Sequence, residues 1–382
     1  MGKKKIKHIT RAIDRKVERE LWGRAAGRCQ FQGCPQMVYK SPVTQERVNV
    51  GEMAHIYSFS EDGPRGWKGF LGKPKELNSV ENLMLVCRSC HKLIDADKAG
   101  TKYSAELLLG WKKAHESRVR LVTGISHERR SHVVLYGGKI GEEESPLHFD
   151  LAADAMFPDR YPADERPIDL TMCCEHEDKT PEFWATESAH LRARFEREIR
   201  PRIREAEPNH FSVFARAGQP LMILLGSLFT DKVPADVYQL HRDPPGWKWK
   251  DEPTPAFVVH RPSQGRGQPV FVLSLSGRIT PDRVHAVAGQ NVRIWEITVP
   301  EVSNRLIRTR AQLAAFSAVA ARVLAEIGEQ RDGADHVKVF PAMGVACAVE
   351  LGRVRMPKAD LPWVIYDQNN KNDGFMETLT IG

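Results

Sequence analysis

Beyond residue 131, apolar runs of strand length alternate with amphipathic segments. The runs are HVVLYGG (132–138), IDLTMCC (168–174), HFSVFA (210–215), PLMILLGSLF (220–229), AFVVHR (256–261), PVFVLSLSG (269–277), VRIWEITV (292–299), VKVFPAM (337–343) and WVIYD (363–367). A helix is predicted among them over PEFWATESAHLRARFEREIRPRI (181–203). This alternation predicts α/β units around a largely buried sheet.

The alternation occurs in two successive series, one up to residue 255 and one from residue 256. The second contains a long helix with a capping box, Thr309-x-x-Gln312, and Gly328 at its end. Apolar residues recur there at helical spacing: Leu313, Phe316, Ala320, Val323, Leu324 and Ile327. We therefore predict two α/β halves, 132–255 and 256–382, in one pseudo-symmetric domain with a crevice between them.

Such sheets bind ligands beyond the carboxyl ends of their strands, where helix N-termini offer free amides to phosphates. Two segments fit this place: LSLSGR (273–278), with Ser276, and VFPAMG (339–344), with Phe340 and Pro341. Neither holds a P-loop, a GxGxxG motif or a nucleophile paired with a base. The pattern favours a ligand sensor over an enzyme.

The first 125 residues follow another pattern. The segment VNVGEMAHIYSFSEDGPRG (48–66) is a short β-like run that contains His55 and breaks into a Gly/Pro loop. Helices are predicted over HKLIDADK (91–98) and over residues 103–124, the second capped by Ser104 with Leu107, Leu108 and Trp111 on one face. We expect an N-terminal α+β domain over residues 1–125 and a linker over 126–131.

Positive charge is concentrated in this N-terminal part. Residues 1–125 hold 24 Lys and Arg against 13 Asp and Glu, a net charge of +11, whereas the rest hold 32 against 36, a net of −4. This division suggests that the first part binds a polyanion and the second does something else. With no signal peptide and no apolar run long enough to cross a bilayer, we expect a cytoplasmic protein without membrane association.

Four of the seven cysteines form two close pairs, Cys29 with Cys34 and Cys87 with Cys90. Clustered thiols in a reducing compartment suggest a metal before a disulfide. Two such pairs supply four thiolates in tetrahedral geometry, which suits Zn²⁺. Because the protein would provide all four ligands, we predict a structural zinc that the small domain needs to fold.

The order of strand, histidine, loop, asparagine, cysteine pair and histidine-bearing helix resembles the HNH endonucleases of the ββα-metal superfamily that carry a four-cysteine zinc. The resemblance rests on AHI (54–56) and ENLMLVCRSCH (81–91). It implies that His55 is the general base that activates water, Asn82 orients the loop carrying it, and His91 binds a catalytic divalent cation, Mg²⁺ or another. A histidine titrates near neutrality, and a hard cation neutralises charge developing on a scissile phosphate.

One position departs from the pattern of many HNH enzymes. They carry an acidic metal ligand directly before the first histidine, where this chain has Ala54. Glu52, on the same strand face as Ala54, and Asp95, one helical turn after His91, are the alternatives for a further ligand.

Residues 336–369, HVKVFPAMGVACAVELGRVRMPKADLPWVIYDQN, are similar to the C-terminal signature of SAVED domains, sensors made of two fused CARF-like halves. The whole chain resembles the HNH-SAVED effector nucleases of CBASS antiphage systems. The resemblance implies that a partner nucleotidyltransferase makes a cyclic oligonucleotide upon infection and that the SAVED domain binds it. Self-association as a dimer or a higher oligomer then switches on degradation of double-stranded DNA.

Seven residues of the second part are candidates for contact with a cyclic di- or trinucleotide. Lys358 and Arg293 are candidates for its phosphates, Trp184 and Tyr161 for base stacking, and Ser276, Phe340 and Pro341 for contacts from the two loops. Trp184 fits a core position equally well. Phe340 and Pro341 equally fit a role in shaping the turn from strand to helix.

Two other functions fit parts of the pattern. A restriction-type HNH nuclease would use residues 131–382 to recognise DNA sequence or modification, but their net charge of −4 disfavours contact with a phosphate backbone. A non-catalytic, zinc-containing DNA-binding regulator would leave His55 unexplained.

Overall fold

The protein is described by a computed structural model that covers residues 12–34, 36–58, 64–66, 76–138, 147–171, 176, 180–205, 208–263, 265–369 and 374–382. The chain divides into two compact units, Met1–Ile125 and Ser126–Gly382. The first strand of the second unit begins at Arg130, inside the segment predicted as a linker.

The first unit has a ββα arrangement at its centre. Its elements are α1 (Arg15–Ala25), β1 (Gly51–His55), β2 (Leu83–Cys87), α2 (Arg88–Ala96) and α3 (Ala105–Thr123). Strands β1 and β2 pair antiparallel, with Gly51 opposite Cys87 and His55 opposite Leu83. All five residues of β2 are buried, so this strand forms the centre of a core that also includes Leu21 of α1 and Ile94 of α2. The predicted ββα fold is confirmed.

Helix α3 begins where the sequence predicts. The Ser104 hydroxyl accepts a hydrogen bond from the backbone N–H of Leu107 at 3.2 Å and caps the helix. Leu108 is buried and Trp111 packs against the core. Leu107 is 39% exposed and lies outside the apolar face, contrary to the prediction.

The second unit contains two α/β halves. Its elements are β3 (Arg130–Gly137), α4 (Phe149–Met156), β4 (Tyr161–Pro162), β5 (Ile168–Asp169), α5 (Pro181–Arg194), α6 (Arg200–Ile203), β6 (Phe211–Arg216), α7 (Gln219–Phe229), β7 (Ala235–Tyr238), β8 (His241–Arg242), β9 (Pro245–Gly246), β10 (Val258–His260), β11 (Gln268–Ser274), α8 (Pro281–Ala288), β12 (Val292–Thr298), α9 (Arg310–Glu329), β13 (Val337–Ala342), α10 (Val345–Val354), β14 (Trp363–Asn369) and β15 (Gly374–Ile381). One π-helical turn, Phe195–Ile199, joins α5 to α6.

The two halves share one strand order. In the first, β4 and β5 pair with β3, which is followed by β6 and β7. In the second, the equivalent order is β12, β11, β13 and β14, with β10 and β15 added antiparallel at the edges. Strands within each shared set are parallel. This repeated topology confirms the predicted pair of fused Rossmann-like halves.

Two predicted runs differ in the structure. The run PLMILLGSLF, predicted as a strand, is helix α7. Eight of the eleven residues of α7 are buried, so the segment is apolar on nearly all sides and periodicity does not separate it from a buried strand. The run IDLTMCC is a strand only over Ile168–Asp169, and its residues 172–174 lie outside the described part of the chain.

Helices α7 and α10, which follow β6 and β13, pack in unusually close contact. A Cβ added at Gly226 of α7 would overlap the carbonyl oxygen of Val349, and one at Gly352 of α10 would overlap that of Ile223. The two glycines therefore let the backbones touch, and they join the halves side by side.

Helix α9 has the length and mean hydropathy of a membrane span, 1.3 over eighteen residues, contrary to the expectation from the sequence. Of that window, 44% is buried within the fold. The six apolar positions predicted for its inner face all lie in the core. The length and composition of α9 therefore fit a core helix of the second half.

Candidate functional site

The four cysteines predicted as metal ligands lie together. Their Sγ atoms are all within 4.8 Å of one another, and a tetrahedral zinc with bonds of about 2.3 Å places sulfurs about 3.8 Å apart. Cys29 and Cys34 come from the loop after α1, Cys87 ends β2, and Cys90 lies in the first turn of α2. The residues therefore fit a structural zinc.

Burial disfavours the ionised form of two of these thiols when no cation is bound. Burial raises the pKa of Cys29 to about 12, and it also raises the pKa of Cys90. Thiols of this kind ionise when a metal compensates their charge. Gln30, which the sequence analysis missed, anchors the first cysteine pair: its side-chain oxygen and its backbone N–H both bond the backbone of Leu85 at 2.8 Å.

His55 is the last residue of β1. Its Nε2 lies 2.9 Å from Oδ1 of Asn78, a residue that the sequence analysis did not consider. The side-chain Nδ2 of Asn78 in turn donates to the carbonyl oxygen of Ala12 at 3.3 Å. The imidazole is thus tied to a second side chain that is itself fixed.

Asn82 is 2% exposed and holds the backbone just after His55. Its Oδ1 accepts from the N–H of Tyr57 at 2.8 Å, and its Nδ2 donates to the carbonyl oxygens of Tyr57 at 3.1 Å and Leu77 at 2.9 Å. A backbone bond from the N–H of Ile56 to the Asn82 carbonyl adds to this at 2.8 Å. The oxygen and the nitrogen of the amide thus connect the segment around Tyr57 to the segment around Leu77.

His91 lies between the two carboxylates considered as further metal ligands. Its Nδ1 is 2.5 Å from Oε2 of Glu52, and its Nε2 is 3.6 Å from Oδ2 of Asp95. One imidazole and two carboxylates form a donor set that suits a divalent cation with oxygen and nitrogen ligands. Ala54 is 3% exposed and belongs to the core, so a charged residue there would be buried.

In the second unit, two side chains from the first half accept hydrogen bonds from the turn before α10 and from its first turn. Gln239 follows β7, and its Oε1 accepts from the N–H of Ala346 at 3.1 Å. Gln219, at the start of α7, accepts from the N–H of Met343 at 3.0 Å. These contacts lie beyond the carboxyl ends of β6, β7 and β13, where such folds bind ligands.

The structure places three of the candidate nucleotide contacts in the interior. Trp184 is 1% exposed and packs over Gly218, and Phe340 is fully buried and stacked on Tyr366 with ring centroids 4.6 Å apart. Arg293 is 5% exposed and bonds Asp332 and backbone carbonyl groups. In this conformation none of the three offers a free surface to a ligand, so their placement supports the structural alternative.

Of the other four candidates, Pro341 is also buried, and Tyr161 and Lys358 lie away from the carboxyl ends of the strands. Pro341 is buried within β13, opposite Leu273. Tyr161, in β4 at the amino-terminal end of β3, donates to the carbonyl oxygen of His127 at 3.5 Å. Lys358 is exposed in a turn after α10. Ser276, whose N–H donates to the carbonyl of Ala342 at 2.8 Å, is the candidate that lies at the carboxyl ends of the strands without being buried.

Two family models match separate parts of the chain. Residues 191–381 match the family model described as the SMODS-associated and fused to various effectors sensor domain, SAVED. Residues 29–98 match the model described as HNH endonuclease. No curated protein matches the sequence.

Among solved structures, the chain is similar to the Acinetobacter baumannii Cap4 SAVED/CARF-domain containing receptor with the cyclic trinucleotide 2'3'3'-cAAA. The identity is 11%, the TM-score is 0.43, and the match covers 80% of this chain and 64% of that one. The Moraxella osloensis Cap4 receptor matches with 11% identity and a TM-score of 0.36, over 76% of this chain and 60% of that one. The chain thus spans less than two thirds of these relatives.

Proposed function

Because the chain belongs to the SAVED family and carries an HNH endonuclease domain ahead of its sensor, we propose that it is a cyclic-nucleotide-activated, metal-dependent endonuclease that degrades double-stranded DNA in antiphage defence. The observation that carries the proposal is the geometry around β1. This strand ends in His55, its loop is held by Asn82, and its Glu52 contacts His91.

His55 acts in this proposal as the general base. It takes a proton from a water molecule whose oxygen attacks the scissile phosphorus, and the P–O bond to the 3′ oxygen breaks. The leaving oxygen keeps the electron pair of that bond and is protonated as it departs. Asn82 supports the reaction by fixing the backbone next to His55, since a displaced base loses much of its effect.

His91 and Asp95 are the proposed ligands of the catalytic cation, Mg²⁺ or another divalent ion. The 3.6 Å between Nε2 and Oδ2 leaves space for an ion with bonds of about 2.1 Å. Glu52 then serves as the outer partner, because its contact with Nδ1 leaves the lone pair on Nε2. When bound, the cation stabilises charge on the phosphate and on the leaving oxygen.

The four cysteines have a separate role in the proposal. They bind Zn²⁺ with all four protein ligands, which leaves no position for substrate, so this ion holds the first unit in its fold. Its coordination joins the loop after α1 to the end of β2 and the start of α2, the elements that place His91.

The second unit is the proposed switch. A cyclic di- or trinucleotide binds beyond the carboxyl ends of the parallel strands in the two halves. Its binding closes the sensor and favours self-association as a dimer or a larger oligomer. Such a ligand shifts the protein to the active state only by binding that state more tightly. Suppressing background cleavage about a hundredfold requires roughly 3 kcal/mol of differential affinity, which a few phosphate and stacking contacts supply.

His55→Ala tests the assignment of the base. We expect a folded protein with its full zinc content that does not linearise plasmid DNA in the presence of Mg²⁺ and a panel of cyclic di- and trinucleotides. The matched control is His260→Ala, which removes an exposed histidine from the edge strand β10 and should leave cleavage unchanged. Full cleavage by His55→Ala would overturn the assignment.

A further inference from the structure

The contact between His55 and Asn78 lies outside the residues that the HNH motif supplies. Asn78 is four residues before Asn82, in the turn that precedes the 3₁₀ segment Val80–Asn82. Its Oδ1 is 2.9 Å from Nε2 of His55. The two asparagines therefore act on different parts of the histidine: Asn82 holds the backbone that follows it, and Asn78 contacts the imidazole ring.

The other end of the Asn78 side chain fixes its orientation. The carbonyl oxygen of Ala12 lies 3.3 Å from Nδ2 and accepts its hydrogen. Only the NH₂ group of an amide donates, so the amide nitrogen faces Ala12 and the oxygen faces His55. Ala12 lies two residues before Asp14, which caps α1 by accepting a hydrogen bond from the N–H of Lys16 at 2.7 Å, so the anchor is close to the start of that helix.

This orientation determines which nitrogen of His55 carries the proton. An amide oxygen accepts but does not donate, so Nε2 must be protonated to bond it, and the lone pair of the neutral ring is then on Nδ1. We propose that Asn78 is a positioning residue of the nuclease site: it holds His55 in the Nε2–H tautomer, so that Nδ1 is the nitrogen that takes the proton from water. The catalytic meaning of this contact rests on the proposed function, whereas the tautomer does not.

Other functional histidines are oriented in the same way, by a hydrogen-bond partner on the ring nitrogen that does not react. The partner touches neither substrate nor water, yet it decides which nitrogen is basic and where the ring points. Loss of such a partner lowers activity by about 10- to 100-fold in other sites, through misplacement of the base. The effect falls on kcat and leaves KM for DNA nearly unchanged, because Asn78 is not proposed to contact DNA.

The experiment uses the full chain with ¹⁵N-labelled histidine and reads the protonation of the His55 ring nitrogens by NMR, with the His55→Ala spectrum to assign the signals. We expect Nε2 protonated in the parent protein and a mixture of tautomers in Asn78→Ala. Asn78→Asp retains an acceptor oxygen and should keep that nitrogen protonated. The control is Ser79→Ala on the adjoining residue, which should match the parent.

Cleavage of plasmid DNA with Mg²⁺ and cyclic di- and trinucleotides is then compared for the same variants. The inference is supported if Asn78→Ala changes the tautomer and lowers kcat about 10- to 100-fold while Ser79→Ala does neither. It is overturned if the His55 signals of Asn78→Ala equal those of the parent, or if the tautomer changes and kcat does not. A parent protein that never cuts would reject the proposed nuclease, while the NMR result would still decide the contact.

Discussion

The side-chain amide of Asn82 pairs with both backbone groups of Tyr57: its oxygen accepts from the N–H, and its nitrogen donates to the carbonyl. The amide thus substitutes for one rung of a β-ladder at the point where β1 ends. A third bond, to the carbonyl of Leu77, joins this turn to the segment before β2. The position of His55 is therefore determined by hydrogen bonds within the backbone loop, in addition to its strand.

Asn82→Asp tests this loop bond with almost no change in shape. The carboxylate keeps the acceptor for Tyr57 but faces two carbonyl oxygens without a hydrogen to donate, and each unsatisfied buried group costs about 1–3 kcal/mol. We expect faster hydrogen exchange of the Tyr57 amide, loss of cleavage and retained zinc. Asn49→Asp, at an exposed amide that accepts from Gly51, is the control. Unchanged protection at Tyr57 would contradict the assigned role of Asn82.

Cys87→Ser should separate the zinc from the sensor. Removing one of four thiolates weakens the site, and the binding energy of a structural zinc is folding energy for its domain. We expect less zinc by elemental analysis and rapid proteolysis within residues 1–125, with the second unit resistant. Cys347→Ala, at a buried cysteine of α10, should leave the zinc content unchanged. Full zinc in Cys87→Ser would show that Cys87 is not a ligand.

Substitutions of Asp95 and Glu52 should lower the affinity for the catalytic cation by different amounts. Asp95→Asn removes a proposed ligand, whereas Glu52→Gln removes only the outer partner of His91, a change that typically costs 10- to 100-fold in affinity. Titration of the zinc-loaded protein with Mn²⁺ should show the greater loss for Asp95→Asn and no change in bound zinc for either. The reverse order of the two affinities would make Glu52 the direct ligand.

Because the backbones of α7 and α10 touch at Gly352, we predict that replacing this glycine lowers the stability of the second unit. A methyl group at Gly352 would meet the carbonyl of Ile223, so Gly352→Ala must push the helices apart, with a cost of about 1–3 kcal/mol or more. The control is Gly328→Ala in α9, where an added Cβ would meet no atom outside its own stretch of helix within 4 Å and alanine favours the helix by about 0.5–1 kcal/mol. Equal melting temperatures for the two variants would contradict the close approach of the backbones.

Local signals in the sequence predicted the parts that depend on local chemistry. The capping box of Thr309 and Gln312 is formed, and the two cysteine pairs come together, because each is encoded within a few residues or by ligand type. Side chains that depend on tertiary contacts were not predictable in this way. The sequence left Trp184 and Phe340 equally open between a ligand contact and a structural role, since an aromatic side chain fits a core and a stacking site equally, and only the structure shows that both are buried.

Within the candidate nuclease site, too, the sequence predicted some residues and not others. The motif indicated His55, Asn82 and His91, whereas the contact from Asn78 depends on how residue 12 meets a turn more than sixty residues later, which no spacing rule encodes. Gln219 and Gln239 are similar cases, because each accepts a hydrogen bond from the other half, Gln219 from the turn before α10 and Gln239 from the first turn of α10. The hydrogen-bond partner of a side-chain amide cannot be predicted from the sequence when that partner lies far away along the chain.

The most direct test of the account is plasmid cleavage with Mg²⁺ across a panel of cyclic di- and trinucleotides, run beside sizing of the protein with and without each compound. We predict little cutting without ligand, an increase of about a hundredfold with one compound, and a larger assembly with that compound alone. Equal cutting in every reaction, including the one without ligand, would contradict the switch and favour a restriction-type nuclease. Activation of an unchanged monomer would keep the sensor and reject assembly as the means of activation.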